Sequence, residues 1–504
     1  MSVLPRLNIR RAVVCAARLP SLGLLAAALL APLTMHAAEL PLSECRINAG
    51  PAYPGLKARC GRFNRPLNPA DPTGEEIELN VVVIPALSLE PASDPVVPIA
   101  GGPGQGSVDF YAGNFNAFEA LRRERNILLV DQRGTGQSAP MNCSVNEEDS
   151  ILPPDTRERA IDAARACLDE LPYDPRYFTT SVAVTDLEAV REALGYSALN
   201  IYGVSYGTRV AQHFARRYPA ATRTVVLDGV VPATLALGPD IPVQAQNAVD
   251  RIFARCAEDP ACGNAFPDVA ASFDRLRAEL AEAPVTIAVP HPKTNIIEEF
   301  DFGDEEFAGA VRLLAYHPST IALLPFLVDS AARGQVVPLA TQFLTIRDSL
   351  DDMLAMGMHN AVMCTEDAPF FDGEPTTDEE LAATYIGPVM LESLEAMCSV
   401  WPAGVLDDDF KTALATDIPV LLLSGDADPI TPPAYAERAA ESLGNKYEIV
   451  GVNQGHGLAP RGCTPQIMAD FVIAASVADL EEADDCLENV FAMPFFLGFG
   501  GPAP

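Results

Sequence analysis

The chain has 504 residues, enough to bury a large core and to build two or three compact units. Acidic residues outnumber Lys and Arg by 68 to 34, a formal charge of −34. That balance excludes nucleic acid and anionic membrane surfaces as natural partners, and it favours solubility.

Residues 1–38 read as a secretory signal: a basic stretch with Arg6, Arg10, Arg11 and Arg18, an apolar run over 22–35, then the small residues Ala37 and Ala38. The run is shorter than the ~20 residues a membrane span needs, and Cys15 lies too early to be a lipidation cysteine. A secreted or periplasmic product, free of the membrane once the signal is removed, is expected. The other ten cysteines fall into neighbouring pairs: Cys45 with Cys60, Cys143 with Cys167, Cys256 with Cys262, Cys364 with Cys398 and Cys463 with Cys486. In an exported chain these predict local disulfides. None has Cys-x-x-Cys spacing, so no metal or redox site is expected.

After a Pro-rich segment over 39–77, tied by Cys45 and Cys60, strand and helix signals alternate. Strands are predicted over 77–87, 96–104 and 125–136. A helix follows over 181–195, with Val184, Leu187, Val190 and Leu194 at helical spacing. Then come a strand at 199–205, a helix at 208–219 and a strand at 223–231. Such alternation means a mainly parallel sheet covered by helices, here over 78–232. From 233 to 415 the strand signal fades and helices dominate, with a long helical stretch over 339–364. Strand patterns return at 418–429 and 446–457, so a helical cap splits the sheet domain, whose second half is 416–504.

Between the strand at 199–205 and its helix stands Gly203-Val204-Ser205-Tyr206-Gly207. Small residues flanking a serine on a tight strand-to-helix turn are what a nucleophile elbow requires. A serine nucleophile needs a base and an acid that orients the base. His213 sits on the helix after the elbow with its ring expected to point away, and His291, His317 and His359 read as surface or packing residues of the insertion. His456, in the loop after the last strand, is left as the base. For the acid, Asp428 is favoured over Asp426, which reads as a turn residue, and Asp228 is a distant alternative. The expected oxyanion donors are the backbone N–H groups of Tyr206 and of Gly102 in Ala100-Gly-Gly-Pro-Gly-Gln-Gly-Ser107.

The set GGPGQGS, DQRGTGQSAP, GVSYGTRVA, LDGVVP, SGDADPITPP and GHG resembles the secreted α/β-hydrolase peptidases of the proline iminopeptidase and tripeptidyl aminopeptidase family. Ala100 stands where many iminopeptidases carry histidine, which shifts the resemblance towards the tripeptidyl branch. The resemblance implies an α/β-hydrolase fold with an inserted helical cap and a serine exopeptidase that acts on peptides with a free N-terminus, without cofactor or metal. It also implies cap carboxylates that hold the substrate's α-ammonium. Glu366 and Asp367 are the candidates, in a loop that a Cys364–Cys398 bond would fix; a solvated acidic turn is the alternative. The same machinery fits a carboxylesterase or lactonase. A catalytically silent binding protein is disfavoured by the intact Ser205, Asp428 and His456.

Overall fold

The structure is a computed structural model and describes residues 40–50, 55–143, 157–291, 295–478, 480, 486–487 and 490–499. The signal expected over 1–38 lies outside the described residues. Nine strands form one sheet: β1 (Ser43–Ile47), β2 (Leu56–Pro66), β3 (Glu76–Ile84), β4 (Ala92–Ile99), β5 (Arg125–Val130), β6 (Leu199–Val204), β7 (Thr222–Asp228), and, after the insertion, Val420–Gly425 and Lys446–Gly451. Two further strands, β8 (Val285–Pro290) and β9 (Ile297–Phe302), pair as a separate antiparallel hairpin inside the insertion. With those counted, Val420–Gly425 is β10 and Lys446–Gly451 is β11.

The spatial order is β1-β2-β3-β5-β4-β6-β7-β10-β11. From β5 to β11 every pairing is parallel, and β1, β2 and β3 continue the sheet antiparallel. The parallel strands are apolar on both faces because helices cover both. Side-chain alternation divides them cleanly. Leu199 and Ile201 of β6 join Val225 and Leu227 of β7 and Leu422 of β10 in one core. Tyr202, Val204, Val226, Leu421 and Leu423 point into the other.

The insertion carries a core of its own, from Ala245 and Phe253 to Phe343 and Leu344. Its β8–β9 hairpin is an addition to the helix-dominated cap that is expected. Ile287, Val289 and Phe302 face inward, while the acidic residues of Ile297–Phe302 mask the alternation. The stretch over 339–364 is also broken. One helix ends at Met353, Leu354 pairs with Gln105, and a second helix spans Met356–Val362. All five neighbouring cysteine pairs are disulfide-bonded. No described helix is long and apolar enough to cross a membrane.

Candidate active site

The parallel strands end along one edge, where Asp228 closes β7 and the loops after β6, β10 and β11 carry Ser205, Asp428 and His456. Strand ends of an open α/β sheet are where such folds place ligands.

Strand β6 stops at Val204 and the helix Tyr206–Arg217 starts at once, leaving Ser205 in the turn with φ 55° and ψ −127°. A non-glycine residue adopts positive φ only when its surroundings enforce it. Here they do. A Cβ on Gly203 would stand 2.3 Å from the Gly207 carbonyl oxygen, and one on Gly207 would stand 2.4 Å from that of Ile99. The Ser205 N–H is held by the Asp228 carbonyl at 2.9 Å. Strand, turn and helix therefore cross too closely for any side chain except the one displayed.

His456 Nδ1 lies 2.7 Å from Asp428 Oδ2. Asp428 is buried, and the N–H groups of Ile430 and Thr431 donate to its Oδ1 at 2.9 and 3.0 Å, while Thr431 Oγ1 donates to Oδ2 at 2.7 Å. Burial alone would raise the Asp428 carboxyl, but the His456 charge and these hydrogen bonds outweigh it and hold the group below the usual carboxylate value. For His456 the balance is mirrored: burial opposes the imidazolium, and the charge and hydrogen bond of Asp428 raise its proton affinity above the ordinary histidine value of 6.5. Tyr316 of the insertion receives the His456 N–H on its carbonyl at 3.0 Å and sets its ring edge-on at 5.7 Å.

The structure puts the other two aspartates elsewhere. Asp426 accepts the Asn453 N–H at 2.5 Å and bridges two loops. Asp228 accepts the N–H groups of Leu458 and Ala459 at 2.7 and 2.8 Å and the Tyr202 hydroxyl at 2.8 Å, so it clamps the loop that carries His456. Neither this role nor that of Thr431 was foreseen. The Asp-Pro-Ile-Thr run, with a hydroxyl three residues after an aspartate, is the turn signature that points to Thr431.

The Gly101–Gly102 turn packs on Ser205: a Cβ on Gly101 would come 2.9 Å from Ser205 Cβ, and Gly102 holds φ +107°. Gly102 lines the cavity at the serine, and the Tyr206 N–H opens the helix beside it. The Tyr206 hydroxyl is buried, 2.6 Å from Thr180 Oγ1 and 2.9 Å from Gln132 Nε2, which leaves its backbone as the part free to act. The insertion braces this turn, since the Ala355 N–H donates to the Gly104 carbonyl at 3.0 Å.

Glu366 and Asp367 are a correction. Both are fully buried, and their oxygens are taken up inside the protein. Glu366 receives the Thr180 N–H at 2.7 Å and Thr180 Oγ1 at 3.0 Å. Asp367 receives both Arg209 terminal nitrogens, at 2.7 and 2.8 Å, the Leu237 N–H at 2.8 Å and Lys411 Nζ at 3.2 Å. Carboxylates so enclosed, and absent from the cavity wall, are out of a substrate's reach. The physical reason is Arg209, four residues after the serine on a buried helix face, which needs an internal counter-charge. These two residues tie the insertion to the elbow helix instead.

Burial raises the Glu366 carboxyl from 4.5 to about 7 against the pull of Arg209. Its protonated form is thus favoured by folding, and the associated stability is complete below pH 4.5 and lost as pH rises through 7. Relative to Glu366→Gln, the wild-type protein is expected to lose about 3 kcal/mol between those values. Denaturant melts of both proteins at pH 4.5 and 7 measure this directly; a difference that stays flat would show that Glu366 does not titrate there.

Ser205 and His456 open into one cavity of about 730 Å³ between the loops that carry them and the insertion. Its wall includes five methionines, 353, 356, 363, 390 and 397. His213 is buried against Asp407 at 2.8 Å, away from the serine as expected. His317 is exposed and His359 packs half-buried with Nδ1 3.2 Å from the Pro103 carbonyl oxygen, as a surface and a packing residue would, and both also line this cavity. Among the described residues no group of three His, Cys, Asp or Glu side chains is placed to hold a metal ion.

Residues 94–459 match the family model described as alpha/beta hydrolase fold. The chain is 31% identical over 182 residues to the putative hydrolase YuaR of Escherichia coli, covering 34% of this chain and 36% of that protein. It is 24% identical over 416 residues to the serine protease Hip1 of Mycobacterium bovis, covering 74% of this chain and 77% of the relative. It is 28% identical over 190 residues to the tripeptidyl aminopeptidase of Streptomyces lividans, covering 34% of this chain and 35% of the relative. The alignments thus span about a third of the first and third proteins and about three quarters of the second.

Proposed function

This chain belongs to the α/β-hydrolase fold family, and from that premise we propose that it is an exported serine exopeptidase that releases short fragments from the free N-terminus of peptides. One observation carries the chemistry: Ser205 on its strained turn opens into the same cavity as His456, whose far nitrogen is bound to the buried Asp428. In this reading His456 Nε2 takes the Ser205 proton as Oγ attacks the scissile carbonyl carbon. Backbone N–H groups of Tyr206 and Gly102 receive the oxyanion. His456 then returns the proton to the leaving amine, the C–N bond breaks, and water attacks the acyl-enzyme by the same route in reverse.

Peptide substrates are supported by the alignment with a serine protease over most of its length, and release from the N-terminus by the shorter match to a tripeptidyl aminopeptidase. A cavity of about 730 Å³ is of small-molecule size, which suits short chains rather than folded proteins. Five disulfides support export. A second reading, a carboxylesterase, is favoured by one observation: no aspartate or glutamate stands among the described cavity-lining residues to meet an ammonium. Matched free and N-acetylated peptides, with esters of the same acyl groups, separate the two. Faster cleavage of the free peptides is expected; equal rates for free and blocked substrates would hand the site to the esterase reading.

A further inference from the structure

The charge on the cavity wall runs against the charge of the chain. Acids outnumber bases two to one overall, yet the charged side chains on the described wall, apart from histidines, are two arginines, Arg312 and Arg461. The fully buried arginines have carboxylate partners, since Arg133 binds Asp186, Arg209 binds Asp367 and Arg125 binds Asp94, whereas half-buried Arg216 donates only to the Asp409 and Phe410 carbonyls. Arg312 and Arg461 form no ion pair with a described residue, and the Nε of each is buried with no hydrogen-bond partner. Burial lowers the proton affinity of Arg461 against the more distant charge of Asp228, and a guanidinium half-withdrawn from water without a direct ion-pair partner is costly. Two on one cavity wall give an anion a place to pair.

Both reach the cavity from the His456 side. Arg461 lies five residues beyond His456 in the same loop, close enough for its charge, together with burial, to lower the proton affinity of His317. Arg312 is one helical turn before Tyr316, the residue whose carbonyl and ring hold His456, and it lies against the Tyr316 hydroxyl. Because His456 delivers its proton to the leaving atom, groups on its side meet the leaving half of the substrate. We propose that Arg312 and Arg461 form a carboxylate-binding subsite for the leaving half of the substrate, so that the enzyme selects short peptides whose carboxylate reaches these two guanidiniums. The planar guanidinium matches a carboxylate through paired hydrogen bonds. This inference rests on the serine-hydrolase reading of the site.

The test compares kcat/KM for two substrate pairs: a short peptide with a free C-terminal carboxylate against its amide, and a C-terminally amidated peptide with Glu against Gln in the leaving half. A preference of at least about tenfold for the acid is expected in one pair, carried by KM. It identifies whether the carboxylate is terminal or a side chain. The preference should shrink between 0.05 and 0.5 M NaCl, and fall towards unity in the Arg312→Met, Arg461→Met double variant. Absence of preference in both pairs overturns the subsite, and so does a preference that survives intact in the double variant. Melting curves and fluorophosphonate labelling of Ser205 report separately on folding and on the serine. Should esters alone be cut, 3-acetoxybenzoate against its methyl ester asks the same question of the leaving half, with the same two outcomes.

Discussion

Ser205→Ala is expected to lower turnover by about 10⁶, the scale on which removing a triad nucleophile acts, while the protein folds as before. The variant keeps the backbone bonds that define the turn, since the Ser205 N–H to Asp228 and the Thr208 bonds to the Ser205 carbonyl do not use the side-chain hydroxyl. It also keeps the strain of φ 55°. Ser205→Gly would relieve that strain, and should melt higher than Ser205→Ala by about 1 kcal/mol of stability, with equally little activity. Reading stability and turnover together makes the result specific: loss of activity with unchanged melting belongs to chemistry, whereas loss of both belongs to folding. Fluorophosphonate labelling should disappear in both variants. Near-normal turnover in either one would end the assignment of Ser205.

Much of this site was legible in the sequence because its parts are local. A serine between two glycines, a strand before it and a helix after it depend on residues within a few positions of each other, and Gly203 and Gly207 report a backbone crossing that only glycine permits. Alternating strands and helices were legible for the same reason. What escaped depended on residues far apart. Glu366 and Asp367 looked like free acids, but their fate is decided by Arg209, more than 150 positions away, and by Thr180. Asp228 was a distant alternative for the acid and instead accepts from Leu458 and Ala459 across the sheet edge. The break near Leu354 has no proline to announce it; pairing with Gln105 and Gly104 in the loop over Ser205 pulls the chain out of helix. That His317 and His359 also line the cavity was not legible, because nothing local tells which part of an insertion will cover one.

The acid role was open between two aspartates two residues apart, and their environments make opposite predictions. Asp428→Asn should cost about 10⁴ in kcat. Asparagine keeps an oxygen for the Ile430 and Thr431 N–H groups, so the loop stays in place. Its amide nitrogen then replaces the oxygen that faces His456 Nδ1, and a donor there leaves the imidazole in the wrong tautomer to take a proton from Ser205. Asp426→Asn should be mild, within about tenfold, because one carbonyl oxygen still accepts the Asn453 N–H and no bond to His456 is lost. The pH profile supplies an independent sign. His456 must be neutral to act as base, so activity falls as pH drops through its pKa, which the Asp428 carboxylate lifts above 6.5 against burial. Without that charge burial prevails, the pKa falls, and the acid limb of kcat/KM should move to lower pH in Asp428→Asn and stay in place in Asp426→Asn. The opposite ranking of the two variants, in rate and in limb position, would transfer the acid to Asp426.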